Sequence, residues 1–240
     1  MSEKPNSAAA TGDFEFKALQ EAINYRRALM DEFRPYLRGE VLEVGAGIGQ
    51  VTEVLSRAPA VKRVLALEPE STFCAIHRTQ HPNHEIVEGT VADVPRQDWD
   101  AILSINVLEH IQADREELAR YAQLLKQRAG HFCLFVPARP EIFAPIDQDF
   151  GHFRRYTKSE LREKLLGAGF QIMRLNYFNL PGYFAWWLNF RFLKKRTFEV
   201  AKVRLFDRLI FPVTHFFESR LLRPPFGQSL IAVGRSQGRD

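Results

Sequence analysis

The sequence predicts an α/β fold built on a doubly wound, mostly parallel sheet. Three observations predict it. Short apolar segments alternate with segments of helical periodicity between residues 40 and 137, a glycine-rich turn directly follows the first apolar segment, and "HFCLFVP" (131–137) is apolar throughout. Parallel strands covered by helices on both faces are typically apolar along their whole length. A chain of 240 residues is long enough for one large domain with a buried core.

The elements follow in order along the chain. Phe14 to Phe33 shows apolar residues at roughly helical spacing, and Pro35 ends that predicted helix. We expect the strands at 40–44, 63–67, 85–87, 100–105, 131–137, 170–177 and 228–234. We expect further helices at 49–56, 71–79, 114–127 and 158–166, and a loop at 138–157. The 50 residues from 178 to 227 are far longer than a hairpin loop and form an insertion before the last strand.

The composition excludes the disordered and fibrous classes of protein. The 45% hydrophobic and 26% charged content is that of a globular protein. Cys74 and Cys133 show no metal-type spacing and are expected to be reduced thiols. The first 13 residues are polar and are expected to form a disordered tail. We find no apolar window of spanning length, so we expect a cytoplasmic protein. Residues 1–150 carry a net charge of −7 and residues 151–240 a net charge of +11.

The turn lies in "VLEVGAGIGQ" (41–50), between a predicted strand and a predicted helix. Glycines at 45, 47 and 49 allow a ligand to approach the backbone closely. A dinucleotide fingerprint would place its last glycine at position 50, which is Gln50. Glu43 would also repel a pyrophosphate, so we expect a ligand with a cationic group and no phosphates. Glu68 ends the next strand, where an acid can bind ribose hydroxyls; the alternative is a solvated, helix-capping acid.

Two further segments, "VEGTVADVP" and "DAILSINVLEHI", complete a pattern that resembles the class I S-adenosylmethionine-dependent methyltransferases. The resemblance covers the chain from about Tyr25 to the last strand and implies a Rossmann-like, seven-stranded sheet. The "NVLEHI" and "GHFRRYT" segments resemble a bacterial subgroup of this family. We therefore expect a single domain over 14–240, with a helical cap (14–38), a cofactor-binding core (39–137) and an acceptor-side region (138–240).

The resemblance also implies roles for individual residues. The cofactor would be S-adenosyl-L-methionine and the product S-adenosyl-L-homocysteine. Glu43 and the backbone of the turn would hold the methionine end, Glu68 the ribose, and the Thr90 turn the adenine. Thr90 departs from the family pattern, since many members carry Asp there, so Thr90, Asp93 or a backbone amide could read the adenine. The expected cofactor-binding residues are Tyr25, Glu43, Gly45, Ala46, Gly47, Gly49, Glu68, Pro69, Thr90, Val91, Asn106 and Val107.

The acceptor side is expected at the ends of the fourth and fifth strands. Methylation of a hydroxyl needs a base, and histidine is the natural base near neutral pH. We expect His152, His110 and Tyr156 to be catalytic; His110 could equally be structural. The expected acceptor-binding residues are Asp147, Arg154, Arg155 and Trp186. The arginines could instead form ion pairs with Asp147 or Asp149. No metal is predicted, although Asp147, Asp149, His110 and His152 are the alternative ligand set.

The insertion holds 13 aromatic residues, 9 Lys/Arg and 3 Asp/Glu. It could be a helical cap packed on the sheet or on a second subunit in a homodimer, a lid over an apolar acceptor, or a surface that makes peripheral contact with an anionic membrane. No RNA-binding module is recognisable, so nucleic acid is not an expected partner. The expected function is O-methylation of a small hydrophobic or lipid-linked acceptor. The alternatives are N- or C-methylation of a natural-product-type metabolite and a non-catalytic cofactor-binding scaffold.

Overall fold

The structure is a computed structural model that describes residues 21–94, 98–220 and 224–237. Its sheet has seven strands in the order β3-β2-β1-β4-β5-β7-β6. The strands are β1 (Gly39–Val44), β2 (Val61–Glu68), β3 (Glu85–Glu88), β4 (Ala101–Ile105), β5 (His131–Pro137), β6 (Phe170–Phe178) and β7 (Ser229–Ser236). Every predicted strand is present, and the expected class of fold is confirmed.

The strand order reverses between β1 and β4, and this reversal positions the site. β1 pairs in parallel with β2 on one side and with β4 on the other. In this register Val44 lies beside Leu67 of β2 and Ser104 of β4. Because ligands of open α/β sheets bind at the carboxyl ends of strands where the order reverses, the segments that follow these three strands define the candidate site.

The helices also follow the predicted order, with differences in the loops. They are α1 (Ile23–Phe33), α2 (Gln50–Ser56), α3 (Ser71–Gln80), α4 (Asp114–Leu125), α5 (Pro145–Asp149), α6 (Lys158–Gly167), α7 (Leu180–Trp186), α8 (Val200–Leu205) and α9 (Phe211–Arg220). The predicted loop 138–157 contains the short helix α5 and a 3₁₀ turn, Pro140–Ile142, each with proline in its first turn. Residues 14–20 of the first predicted helix and the predicted tail lie outside the described residues.

The insertion is helical. It contains α7, α8 and α9 together with two π-helical segments, Trp187–Phe192 and Phe206–Ile210. Asp207 and Glu218 are tied to backbone amides: Asp207 accepts from Asn24 at 3.0 Å, and Glu218 accepts from Leu180 at 2.9 Å. Asp207 therefore ties the insertion to α1, and Glu218 stabilises the fold of the insertion itself.

The chain divides into two compact units. Of the described residues, the sheet unit comprises 33–94, 98–136, 159–175 and 231–237, and the insertion unit comprises 21–32, 137–158, 176–220 and 224–230. The expectation of a single domain over 14–240 stays a prediction. Of the residues predicted to lie on the acceptor side, those in α6 and in the last strand belong mainly with the sheet unit.

Each unit has its own core. Fully buried strand residues such as Leu42, Ile102 and Phe132 form the core of the sheet unit. In the insertion unit a separate apolar cluster contains Ile142, Ala144, Ile146, Trp186 and Phe190. Both cysteines are buried free thiols, as expected. Among the described helices, none is long and apolar enough to cross a bilayer.

Candidate functional site

The turn after β1 is built around glycines in the left-handed backbone region. Gly45, Gly47 and Gly49 have φ angles of 74°, 54° and 91°, which favour glycine over other residues. The amides of Gly45 and Ala46 both donate to the Leu67 carbonyl of β2, at 2.8 and 3.0 Å. These bonds fix the turn against the end of the neighbouring strand.

Val107 packs closely against this turn. A Cβ on Gly45 would lie 2.2 Å from Val107 Cγ2, a distance that no real contact allows. Asn106, directly before it, has a φ of 52°, and its amide donates to the Phe135 carbonyl at 2.9 Å. A non-glycine residue in this region carries a conformational cost that the surrounding structure must offset. The segment after β4 is thus held in a specific conformation beside the glycine turn.

Glu43 is a buried acid on β1 directly before the turn. It is 4% exposed, and its Oε2 accepts a hydrogen bond from Thr52 Oγ1 at 2.6 Å. The pKa of Glu43 is raised to about 8, chiefly by burial and also by the negative charge of Glu68, against the opposing effect of the bond from Thr52. A cationic ligand group would favour the ionised form of this carboxyl.

Glu68, at the end of β2, binds the turn itself. Its Oε2 accepts from the Gly47 amide at 2.8 Å, and its Oε1 accepts from the Glu70 amide at 2.9 Å. Burial raises its pKa despite these bonds. The alternative of a solvated, helix-capping acid is wrong for Glu68. Glu70 occupies the N-cap of α3 and accepts from the Thr72 amide, while Glu68 is 6% exposed.

The segment after β3 forms a capped 3₁₀ turn, Val91–Asp93. Asp93 Oδ2 accepts from the Thr90 amide at 2.8 Å and from Thr90 Oγ1 at 3.1 Å, and these bonds lower the pKa of Asp93. Val91 is buried, whereas Thr90 and Pro69 are exposed. Thr90 and Asp93 therefore hold each other in place and stiffen the turn predicted to flank the adenine.

His110 follows β4 in the sheet unit. It ends the 3₁₀ turn Leu108–His110 and is partly exposed, and its amide donates to the Val107 carbonyl at 2.9 Å. The neighbouring Glu109 is fully buried. A catalytic role for His110 stays a prediction. The bond from its amide to Val107 favours the alternative, a structural role for His110.

Within the sheet unit, the charge of the predicted cofactor-binding residues fits the expected cationic ligand. Two buried carboxyls with raised pKa values belong to the strand ends that flank the glycine-rich turn, and each would gain from a ligand that brings a cation or hydroxyl donors. A diphosphate would instead add negative charge beside two acids. The residues therefore suit a cationic nucleoside better than a dinucleotide.

Asp147 organises a polar cluster in the insertion unit. Its carboxylate has no exposure, and its Oδ1 lies 2.9 Å from Arg155 Nε, 2.8 Å from Arg155 Nη2 and 3.1 Å from His152 Nδ1. Its Oδ2 accepts from the Ala144 amide at 2.8 Å. Burial opposes ionisation, but the bonds from His152 and Arg155 hold the pKa of Asp147 below its ordinary value. The cluster fixes the orientation of the His152 ring.

Arg155 contacts other residues of the insertion unit. Besides its ion pair with Asp147, its Nη1 donates to the Ala138 carbonyl at 3.2 Å, and its guanidinium carbon lies 4.3 Å from the Trp186 ring centroid. The ion pair left open by the sequence is present. Asp147, Arg155 and Trp186 are all buried, and their predicted role in binding the acceptor stays a prediction. Arg154 is partly exposed, with its guanidinium 5.9 Å from the Phe153 ring centroid.

The two predicted tyrosines also lie in the insertion unit. Tyr156 is fully buried and forms a parallel bridge with Ala138, which favours a structural role. The Tyr25 amide donates to Asp207 at 2.8 Å, and its ring centroid lies about 5 Å from those of Phe178 and Phe211 (5.2 and 5.1 Å). Burial raises the pKa of the Tyr25 phenol. Contact of Tyr25 with the cofactor stays a prediction.

The sheet order and the glycine turn at its reversal define the Rossmann-like class I methyltransferase fold. The chain belongs to the methyltransferase domain family, whose model matches residues 18–175.

Individual relatives agree with this assignment. A curated protein of Mycolicibacterium smegmatis, named a probable S-adenosylmethionine-dependent methyltransferase, is 27% identical over 137 residues, or 55% of this chain and 52% of that protein. The chain spans about half the length of the curated relatives it matches.

Solved structures show the same fold at low sequence identity. A chain of the Haloferax volcanii complex between the Trm112 methyltransferase activator and a methyltransferase has a TM-score of 0.64 and 16% identity, covering 98% of this chain and 100% of that one. The structure of the DhpI–SAH complex has a TM-score of 0.55 and 18% identity, covering 94% and 98% of the two chains.

Proposed function

We propose that this protein is an S-adenosyl-L-methionine-dependent methyltransferase that methylates an oxygen of a small hydrophobic or lipid-linked acceptor. The observation that carries the proposal is the pair of buried acids, Glu43 and Glu68, at the two strand ends that flank the Gly45–Gly49 turn. When bound, the cofactor supplies an electrophilic methyl group on a sulfonium and leaves as S-adenosyl-L-homocysteine. The family assignment and the names of the curated relatives support this cofactor.

The binding roles follow from the chemistry of each residue. Glu43 holds the cationic methionine end, because a cation offsets the cost of a buried carboxylate. Glu68 already orders the turn through the Gly47 amide, and its oxygens retain further lone pairs for ribose hydroxyls. Asn106 contacts the methionine moiety, and the Thr90 turn with buried Val91 flanks the adenine.

The Asp147–His152 pair supports an oxygen acceptor. A hydroxyl must lose its proton during methyl transfer, and an imidazole oriented by a carboxylate is suited to accept it. With His152 Nδ1 bonded to Asp147 at 3.1 Å, Nε2 is the ring nitrogen that takes the proton. N- and C-methylation make less use of such a pair.

The exposed side chains of the insertion support an apolar or lipid-linked acceptor presented at an anionic membrane surface. Leu205, Leu209, Val213 and Phe216 recur at helical spacing, and each is at least 50% exposed. Among the described residues of the insertion, the large apolar side chains that are exposed are Phe184, Trp187, Leu188, Phe192, Leu193, Leu205, Leu209, Ile210, Val213, Phe216 and Phe217.

Charge in the same segment favours anionic head groups. The described insertion residues from 178 to 220 include eight Lys/Arg and three Asp/Glu. The three acids are engaged within the fold: Asp207 and Glu218 by backbone amides, and Glu199 by Lys195 and Lys202. The remaining basic excess, together with exposed aromatic rings, matches the pattern of interfacial binding.

Calorimetry with S-adenosyl-L-homocysteine tests the cofactor assignment. We expect binding by the wild-type protein and none of NAD. Glu68→Ala should weaken binding by about 10- to 150-fold, because a hydrogen bond to a charged group contributes about 1.5–3 kcal/mol. Glu70→Gln neutralises an exposed acid two residues away, keeps an acceptor for the Thr72 amide and serves as the matched control. Binding of NAD without S-adenosyl-L-homocysteine would overturn the proposal.

A further inference from the structure

A second group of polar side chains lies in the sheet unit and takes no part in the proposed methyl transfer. His77 is in α3, His81 is its C-cap, and His84 follows in the next turn. All three histidines come from the segment "HRTQHPNH" (77–84). Glu53, in the first turn of α2, faces His81 and His84 with one carboxylate oxygen. The cluster thus joins the end of one helix to the start of another.

The distances suit a shared cation. Glu53 Oε2 lies 3.0 Å from His84 Nε2 and 3.5 Å from His81 Nδ1, and one ligand atom from each residue lies within 4.8 Å of the others. Ligand atoms about 2.0–2.2 Å from a tetrahedral ion are separated by roughly 3.3–3.6 Å. The first of these separations lies just below that range and the second within it, so the ligand atoms are close enough to share one ion once a histidine ring has turned.

The cluster is accessible and has a supporting partner. The side chains of His81, His84 and Glu53 are 21%, 10% and 28% exposed, which leaves an entry path. His77 is fully buried, and its Nε2 lies 3.2 Å from His84 Nδ1. Metal-binding histidines typically use their second nitrogen in such a bond, which fixes the tautomer and the ring orientation. His77 can therefore hold His84 with Nε2 directed at an ion.

We propose that Glu53, His81 and His84 bind one first-row divalent cation of the Zn²⁺ class, with His77 as a positioning residue. Two imidazoles and one carboxylate are a ligand set suited to this class rather than to Mg²⁺ or Ca²⁺. The rings of His81 and His84 stack with planes 4° apart. A shared ion requires one of them to turn about χ2, so that both lone pairs point to the same position.

The site is distinct from the cofactor residues but adjoins the glycine turn. A Cβ on Gly49 would lie 2.8 Å from His77 Nε2 and 2.8 Å from His81 Cδ2. Gly49 also begins α2, the helix that carries Glu53. The ion would link α3 to the helix that follows the turn. Its binding does not depend on whether the protein transfers methyl groups.

Metal titration of the full chain tests this site. The affinity tag is removed, because a polyhistidine tag binds the same ions, and bound metal is stripped with a chelator that is then dialysed away. Co²⁺ is added with visible absorption as the readout, followed by Zn²⁺ as competitor. We expect one Co²⁺ per chain with the absorption of a tetrahedral N/O site, displaced by one equivalent of Zn²⁺. Cys74 and Cys133 are buried and should not compete.

Variants separate this site from adventitious binding. Glu53→Gln and His84→Ala should abolish the saturable absorption, and His77→Ala should weaken binding by about 10–100-fold, as for other supporting residues of metal sites. His131→Gln, at a partly buried histidine on β5, is the matched control and should bind like wild type. Zn²⁺ should raise the melting temperature of wild type and of the control, but not of His84→Ala. No saturable Co²⁺ signal in wild type, or an undiminished one in His84→Ala, would overturn the proposal.

Discussion

The buried carboxyl of Glu43 makes the stability of the ligand-free protein depend on pH in a specific way. Its pKa lies at about 8 in the folded chain, against an ordinary value of 4.5. An acid with a raised folded pKa holds its proton more tightly when folded. The resulting stabilisation is complete below about pH 4.5 and is lost as the pH rises through about 8. Glu43→Gln keeps an acceptor for Thr52 and removes this titration.

The magnitude follows from the two pKa values. Each pH unit between them costs the wild-type protein about 1.4 kcal/mol of unfolding free energy. From about pH 5 to about pH 9 the wild type should therefore lose roughly 4 kcal/mol relative to Glu43→Gln. Other titrating groups are common to both proteins and cancel in the difference. We expect the variant to be the more stable protein at the alkaline end of this range.

Denaturant unfolding of both proteins, followed by circular dichroism in the absence of cofactor, measures this difference. Glu70→Gln, at the exposed N-cap acid of α3 near the end of β2, is the control for losing an exposed carboxyl while an acceptor for the Thr72 amide remains. If the difference in unfolding free energy between wild type and Glu43→Gln stays constant from pH 5 to pH 9, the pKa of Glu43 is not raised in the folded protein. The argument that Glu43 binds a cationic ligand group would then fail.

Two further predictions concern the insertion unit. Asp147→Asn should lower the free energy of unfolding by about 3–5 kcal/mol, because it leaves the buried Arg155 guanidinium without its carboxylate. Asp149→Asn is the control, since its partner Arg196 is exposed, and it should lower that free energy by under about 1 kcal/mol. Denaturant unfolding measures both. Wild type should co-sediment with anionic liposomes at low salt, whereas a Leu209→Glu/Phe216→Glu double variant should stay in the supernatant. Leu166→Glu, at an equally exposed residue outside the insertion, is the control, and a dimer that buries Leu209 and Phe216 would be the contrary result.

The sheet was predictable because its strands are short apolar segments bounded by turn residues. The "HFCLFVP" segment and the strand before Gly45 carry this signal in their own residues, and the structure places both in the sheet. The short helix α5 was missed, since five residues beginning with proline carry too little periodicity to show a helix. The helix bounds of the insertion were not predicted either, because aromatic residues lie on both its buried and its exposed sides.

The site was predictable only where topology determines it. Glu43 and Glu68 lie near the ends of adjacent parallel strands, so their closeness to the turn follows from strand order alone. The Asp147–Arg155 pair could be named only as one alternative, since side-chain direction in a loop depends on packing. The Glu53 cluster was missed because its acid comes from another helix, although the spacing of His77, His81 and His84 was a usable signal.

The three glycines of the turn are needed for different structural reasons. A glycine pattern alone therefore gives limited information about the ligand. Gly45 is required because Val107 fills the space that a Cβ would occupy, and Gly49 because His77 and His81 do so. Gly47 differs, since its amide is held by Glu68, the acid proposed to bind the ribose. Two of the three positions are therefore explained by packing within the sheet unit. The proposed specificity for a cationic nucleoside rests on Glu43 and Glu68, and a substitution at either acid should discriminate between ligands more sharply than one at Gly45 or Gly49.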